Sequence, residues 1–433
     1  MISLQELQQV IAESQGFGSI IPVSRNEYLS WLEKSADNRL IKAVIGFRRS
    51  GKSFLLKMLS KTLIDRGIPQ SNIFYLNFEN DLLKSIKTVR ELRTVWEMYL
   101  REIADIQKPI FVIWDEIQLV NSWEKLVRTL YEMGKYTIFI SGSNSNLLSG
   151  ELSASLSGRC LTLEVYPFSF REYLDYSKVD AASYYFNKLA IDKAFSVYLL
   201  RGGIAEQFEL KEPFIQNYRS GLVQKIILDD IIKRYAIDNV NVLQEVFEFI
   251  SGNITSVMSL RKIVNRLSDQ DLRVSANTID HYIGYWKTSY ALEKLHKFDY
   301  RLSRVFDRTS KYYVIDNLLI EGGVDADEKR LENLVYIELT RRYGQKNVFF
   351  GQDPNGYEVD FVVKIGEKFR FFQVCLELND KNTKREFGNL ALINKYMNGQ
   401  ATVLYRDDRR TKSDSQPCLP VVEWLLEPMP VTA

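Results

Sequence analysis

Eight residues, Gly46-Phe47-Arg48-Arg49-Ser50-Gly51-Lys52-Ser53, carry the spacing G-x-x-x-x-G-K-[ST] that wraps a chain of phosphates. Gly46 and Gly51 permit backbone angles that turn successive N–H groups inward, and Lys52 reaches toward the β- and γ-phosphates. Arg48, Arg49, Ser50 and Phe54 complete the lining of such a loop, and the Ser53 hydroxyl would ligate Mg2+. Leu40–Ile45 reads as a short apolar strand entering the loop, and Phe54–Leu59 as a helix with an apolar face leaving it. Strand, loop and helix follow in the order this chemistry needs. Pro109–Glu116 is then a continuous apolar run closed by Asp115 and Glu116, the pattern of a buried parallel strand. Asp115 is positioned to hold the magnesium, and Glu116 to orient and deprotonate an attacking water. Tyr136–Ile140 reads as another strand, running into Ser141-Gly142-Ser143-Asn144. Asn144 or Ser143 could hydrogen-bond that water, or could cap a helix over Asn146–Leu156. Together these residues describe a nucleoside-triphosphate site.

The rest of the chain bounds what can surround it. At 433 residues it exceeds one ordinary core, and about three domains are expected. The absence of an apolar run of membrane-spanning length and of an export signal predicts a cytoplasmic protein with no membrane partner. The three cysteines lack metal or redox spacing, which suits a reducing compartment. Two histidines, His281 and His296, argue against a histidine-based zinc site or triad, and any metal should be a hard cation held by oxygens. A net charge of +2 says little about partners, so basic clusters count only locally.

The loop, the strand ending Trp114-Asp115-Glu116-Ile117-Gln118, Ser141–Ser145, Leu156-Ser157-Gly158-Arg159 and Val165–Tyr173 occur in order. Together they resemble a family of prokaryotic AAA-type ATPases, and the resemblance spans nearly the whole chain. It implies ATP as the nucleotide, since no guanine-reading motif is evident. It also implies an α/β fold: a P-loop parallel-sheet core, a helical lid, a winged helix and a C-terminal α/β domain like PD-(D/E)xK nucleases. The expected divisions are 1–165, 166–235, 236–310 and 311–433. By family position Arg159 is a candidate arginine finger, acting within the chain or on a neighbouring subunit; a surface salt bridge is the alternative. Leu200–Glu206 resembles a Gly-Gly-x-Pro turn that touches nucleotide, with Ala205 in place of the proline. Arg201 would then approach the γ-phosphate.

Helical patterns over Val242–Ser251, Met258–Leu267 and Asn277–Lys287, the last capped by Ser275, suit a winged helix-turn-helix. Tyr290–Phe298 and Tyr300–Val305 would form its wing. The third helix offers Asn277, Thr278, His281 and Lys287, and Lys294, Lys297, Arg301, Arg304, Arg308 and Lys311 follow, a set suited to DNA phosphates. Ile279, Tyr282, Ile283 and Trp286 equally suit a packing core. In the C-terminal domain Glu332, Asp360 and Gln373 match metal-binding positions of the nuclease core, but Cys375 stands where its lysine belongs. A lysine could come from elsewhere, such as Lys381 or Lys384; a degenerate, partner-binding domain is the other reading. The expected function is Mg2+-dependent ATP hydrolysis driving a conformational switch associated with double-stranded DNA. The alternatives are a switch acting on a protein partner, with homo-oligomers included, and an ATP-regulated nuclease.

Overall fold

Central strands that are mostly apolar and buried need cover on both faces, which suits a parallel sheet between helices. Ile41–Ile45 (β1), Ile73–Asn77 (β2), Ile110–Asp115 (β3), Tyr136–Gly142 (β4) and Cys160–Glu164 (β5) form that sheet. All its pairs are parallel, in the order β2-β3-β4-β1-β5. Every residue of β1 and β3 is buried. The helices of this part are Leu4–Ser14 (α1), Asn26–Ala36 (α2), Lys52–Asp65 (α3), Val89–Glu102 (α4) and Glu124–Met133 (α5). From α3, Leu55, Leu56, Leu59 and Leu63 pack with Val44, Ile113 and Phe139 of the sheet. The strand order reverses about β1, which lies between β4 and β5. A crevice therefore opens at the carboxyl ends of the strands, where ligands of such sheets gather.

The computed structural model describes residues 2–14, 16, 23–144, 158–237, 239–269, 274–299, 302, 304–322, 326–353, 355–411 and 417–429. The expected helix Asn146–Leu156, Ser157, Tyr300 and Arg301 lie outside them, as do the side chains of Arg304 and Arg308. The chain divides into two compact units, Met1–Tyr166 and Pro167–Ala433. Residues 167–433, expected as three pieces, fall within the second unit.

That second unit opens with helices Phe170–Tyr176 (α6), Lys188–Arg201 (α7) and Glu212–Lys225 (α8), the last running into a π-helix at Ile226–Ile232. Val240–Gly252 (α9), Leu260–Ser268 (α10) and Ala276–Thr288 (α11) follow. Ser275 caps α11 by accepting from the Thr278 N–H at 3.1 Å. Trp286 stacks on Phe247 with ring centroids 4.2 Å apart and donates to the Leu243 carbonyl at 3.1 Å, fixing α11 on α9. The remaining elements are Leu292–Asp299 (β6), Arg304–Val314 (β7), Asp327–Tyr343 (α12), Val348–Gln352 (β8) and Glu358–Ile365 (β9). Lys368–Leu378 (β10), Thr383–Asn394 (α13), Gly399–Asp408 (β11), Cys418–Pro420 (β12) and Val421–Leu426 (α14) complete it.

Seven of these strands make one mixed sheet in the order β12-β11-β10-β9-β8-β6-β7. β6 and β7 pair as an antiparallel hairpin, its second strand at Arg304–Val314 and not at the expected Tyr300–Val305, and β6 also pairs in parallel with β8 through Lys297↔Phe350 and Phe298↔Gly351. The division expected between residues 310 and 311 therefore falls inside β7. The segment expected as a lid also shares a core with the C-terminal part. Phe170, Leu174, Phe195 and Leu199 of α6 and α7 are buried with Leu331, Val335 and Leu339 of α12. On the other cluster of this sheet, Phe387, Leu390 and Ile393 of α13 pack with Val362, Phe371 and Cys375.

Candidate functional site

The loop after β1 begins at Gly46, whose φ is 140° and where a Cβ would overlap the Val165 carbonyl oxygen. Only glycine fits there. Gly51 takes a left-handed conformation with φ 92° and caps α3, so the first N–H groups of that helix open onto the loop. Lys52, the first residue of α3, is buried, and its Nζ donates to the carbonyls of Gly46 and Phe47 at 3.0 Å each. The same nitrogen is 3.8 Å from Glu116 Oε1. Among the described residues Ser50 Oγ is buried with no hydrogen-bond partner, an orphan that a phosphate oxygen in the loop would satisfy. Arg48 pairs with Glu79, just past β2, at 3.0 Å. Arg49 holds a φ of 66°, a left-handed value uncommon for a residue with a side chain. Phe54 is half-buried on α3.

The acidic side is set by strand register. Trp114 pairs with Ile140 across β3 and β4, which puts Asp115 beside Ser141. The Ser141 hydroxyl donates to Asp115, and Ser53 also hydrogen-bonds it. Tyr75 of β2 lies with its hydroxyl 3.2 Å from both Asp115 Oδ2 and the Ser53 carbonyl oxygen. Glu116 has a φ of 55°, a strained value for glutamate, and its N–H donates to Ser141 Oγ at 3.0 Å. Its carboxylate accepts from Gln118 and from the Ser143 N–H, the latter at 3.3 Å. Burial and then the neighbouring Glu116 raise Asp115 above the usual carboxylate range. Burial would raise Glu116 too, but Lys52, followed by the Gln118 hydrogen bond, holds it below that range. The outcome is an ionised glutamate facing a lysine at the mouth of an anion-binding loop. Ser143 and Asn144 are both buried at the end of β4.

One buried cation was not legible from motif spacing. Arg25, immediately before α2, donates to the carbonyl of Ser50 at 2.7 Å and to that of Tyr166 at 2.9 Å. Its guanidinium lies 4.4 Å from the Tyr28 ring centroid. This arginine ties the loop's backbone to the N-terminal segment, and a lone arginine at a helix start gives no sequence signal of such a contact. Tyr75, Gln118 and Ser141 were also not singled out. Arg159 is placed differently from the loop residues. Its carbonyl accepts from the Ile41 N–H at 2.8 Å and its guanidinium lies 5.9 Å from the Tyr131 ring. It precedes β5, paired in parallel with β1 from Ile41↔Cys160 onward. It therefore stands at the amino ends of the strands, opposite the edge that bears Lys52 and Glu116.

In the second unit the glycine pair of the expected nucleotide-touching turn seats a buried carboxylate. Gly202 has a φ of 74°, and a Cβ there would overlap the side chain of Asp316. Asp316 accepts from the Gly203 N–H at 2.7 Å and the Leu318 N–H at 2.9 Å, and burial pushes its carboxyl up to about 7. Arg201 is ion-paired with Glu212. On α11, Asn277 and His281 are exposed, Thr278 and Lys287 are half-buried, and Ile279, Tyr282, Ile283 and Trp286 form the core face. Lys294 and Lys297 are half-buried on β6. Lys311, expected among the exposed cations, is instead 1% exposed and lies among carboxylates. Its Nζ is 2.9 Å from Glu332 Oε1, 2.7 Å from Glu358 Oε1 and 3.6 Å from Asp360 Oδ1. Two of the expected nuclease-like residues, Glu332 and Asp360, thus meet around it. Among the described residues Gln373 makes no such contact, and its Oε1 is buried without a hydrogen-bond partner. Burial and then Glu332 push Asp360 up to about 8. Cys375 is buried in the α13-facing core, and burial raises its thiol. Lys381 and Lys384 are exposed. Among the described residues no helix is long and apolar enough to cross a membrane.

Two families match parts of the chain: an AAA domain over residues 38–174 and a domain of unknown function over residues 192–322. A protein of Haemophilus influenzae, described as uncharacterised, is 32% identical over 409 residues, covering 94% of this chain and 99% of that protein. An uncharacterised protein of Methanocaldococcus jannaschii is 32% identical over 358 residues, 80% of this chain and 77% of its own length. Among solved structures, a Walker-type ATPase of Pyrococcus abyssi overlaps 69% of this chain and 95% of its own with a TM-score of 0.45 and 14% identity.

Proposed function

This chain belongs to the family of the Haemophilus influenzae protein and carries an AAA domain, and from that premise we propose that its first unit binds ATP with Mg2+ and hydrolyses it. The observation that supports this most is the meeting of Lys52 and Glu116, 3.8 Å apart, where the glycine-bounded loop meets the end of β3. In this reading the loop N–H groups, Ser50 and Lys52 hold the phosphates, while Arg48, Arg49 and Phe54 line their approach. Ser53 and Asp115 would hold the magnesium, whose chemistry is to neutralise charge on the β- and γ-phosphate oxygens. Tyr75 and Ser141 fix the Asp115 carboxylate by hydrogen bonds. Glu116, kept ionised beside Lys52, takes a proton from the attacking water. Ser143, already hydrogen-bonded to Glu116, and Asn144 beside it orient that water. Arg159, at the opposite edge of the sheet, would act on a neighbouring subunit's nucleotide if it acts as a finger. The test is Mg2+-dependent ATP turnover in the Lys52→Ala and Glu116→Gln proteins; turnover unchanged in both would overturn the assignment.

The nucleotide state of the first unit would control what the second unit binds, with double-stranded DNA as the preferred partner. Support comes from the three helices α9, α10 and α11 leading into the β6–β7 hairpin. Met258, between α9 and α10, pairs with Ser310 of β7 through bonds of 2.8 and 3.0 Å, adding a short third strand as a winged helix would. The exposed Asn277 and His281 lie on the free face of α11. A protein partner is the second reading, favoured by the burial of Lys311, which removes one cation from that surface. DNA affinity that falls steeply with salt supports the first; turnover and binding indifferent to DNA support the second.

A further inference from the structure

The nuclease-like core that the C-terminal sequence resembles implies a divalent cation held by acids. The residues here do not fit that cation. Glu332 on α12, and Glu358 and Asp360 on β9, converge on one point, and the Lys311 ammonium already stands there. Tyr313, two residues along β7, donates to the same Glu332 oxygen at 2.7 Å. Asp360 turns its other oxygen to the Val374 N–H of β10 at 2.8 Å. A hard dication takes carboxylate oxygens at about 2.0–2.6 Å. To use these oxygens it would have to sit almost in contact with a buried ammonium, where like charges repel in a medium that screens poorly. Among the described residues no group of three or more His, Cys, Asp or Glu side chains is arranged to hold a metal ion.

We propose that the Lys311 ammonium is the resident cation of this cluster, taking the place of a divalent metal, so that the C-terminal sheet works without metal as a coupling element. The lysine arrives on β7, the strand that closes the hairpin after α11 and bonds to Met258 through Ser310. Its three carboxylate partners come from α12 and β9. One buried side chain therefore fastens the three-helix segment to the C-terminal sheet and helix. A residue-by-residue reading places the missing lysine near Cys375; the fold brings in a cation from a strand more than sixty residues earlier.

The test is Mn2+ binding by the full chain in an Asp115→Asn background, which removes the metal ligand of the first unit, without nucleotide. The background protein should show no Mn2+-dependent rise in unfolding temperature. Adding Lys311→Met should lower that temperature without metal, because the buried Asp360 and the half-buried Glu332 and Glu358 lose their counter-charge. It should also create Mn2+ binding at least tenfold tighter than the background, and Asp360→Asn on top should erase the gain. If Lys311→Met does not fold, Lys311→Gln, which keeps a hydrogen-bond donor and removes only the charge, should show the same gain. The proposal is overturned if the background protein binds Mn2+ and loses it with Asp360→Asn. It is equally overturned if neither lysine variant binds Mn2+ more tightly than the background.

Discussion

Lys52 and Glu116 share the mouth of the loop, and in the proposed reaction the first holds phosphate and the second is the base, so their substitutions should separate. Lys52→Ala removes the cation that holds phosphate and should abolish both ATP binding and turnover. Glu116→Gln keeps the shape and removes the base. Turnover should fall by about 10²–10⁴-fold, with ATP still bound, as a nucleotide-binding titration beside a rate measurement would show. Arg25 gives a third outcome. Arg25→Ala strands two buried carbonyls, at about 1–3 kcal/mol of lost stability, and should lower the melting temperature of the first unit by roughly 2–12 °C. Arg25→Lys should not restore it, since one ammonium cannot reproduce the fork that reaches both Ser50 and Tyr166. That the loop and the end of β3 would meet was legible from the spacing of their residues, since a phosphate-binding pattern fixes both residue type and spacing. Arg25 was not, because its contact joins backbone positions far apart in sequence and leaves no pattern.

At the scale of elements, Gly202 and Asp316 join the end of α7 to the turn after β7. Gly202→Ala would set a Cβ against the Asp316 carboxylate and hold alanine at a φ of 74°. A loss of about 1–3 kcal/mol is expected in denaturant unfolding. Asp316 also predicts a pH dependence. Its carboxyl titrates near 7 when buried, against 3.8 for an ordinary aspartate. The folded state therefore favours the protonated form, and this contribution to stability is complete below 3.8 and is lost as pH rises through 7. Asp316→Asn should flatten the change in urea midpoint across that window, and a window left unaltered would contradict the assignment. The first strand of the hairpin was legible at Tyr290–Phe298, but the second was expected at Tyr300–Val305 and runs instead over Arg304–Val314. Their sheet was not visible, because alternation sets which face is buried and does not name the strand across the edge. The pairing of β6 with β8 and the burial of Lys311 both follow from that missing partner.

For the whole molecule, the parallel core is the part most fully written in the sequence, since β1 and β3 are buried along their whole length and apolar but for Lys42 and the terminal Asp115. The second unit was legible in part as elements: the helices α9, α10 and α11 lie where their patterns indicate. Its division was not, because long-range pairing and the shared core of α6, α7 and α12 merge the pieces. If the second unit holds DNA through the α11 surface, Lys287→Gln with Lys297→Gln should weaken binding on all sequences alike. The slope of affinity against salt should fall by about one for each phosphate that is no longer neutralised. The most direct test of the central claim is the steady-state rate of ATP hydrolysis by the full chain, with and without Mg2+, beside the Glu116→Gln protein. Magnesium-dependent turnover that Glu116→Gln reduces at least a hundredfold while ATP remains bound is the predicted result. Turnover that is absent from the native chain, or that survives Glu116→Gln unchanged, would contradict it.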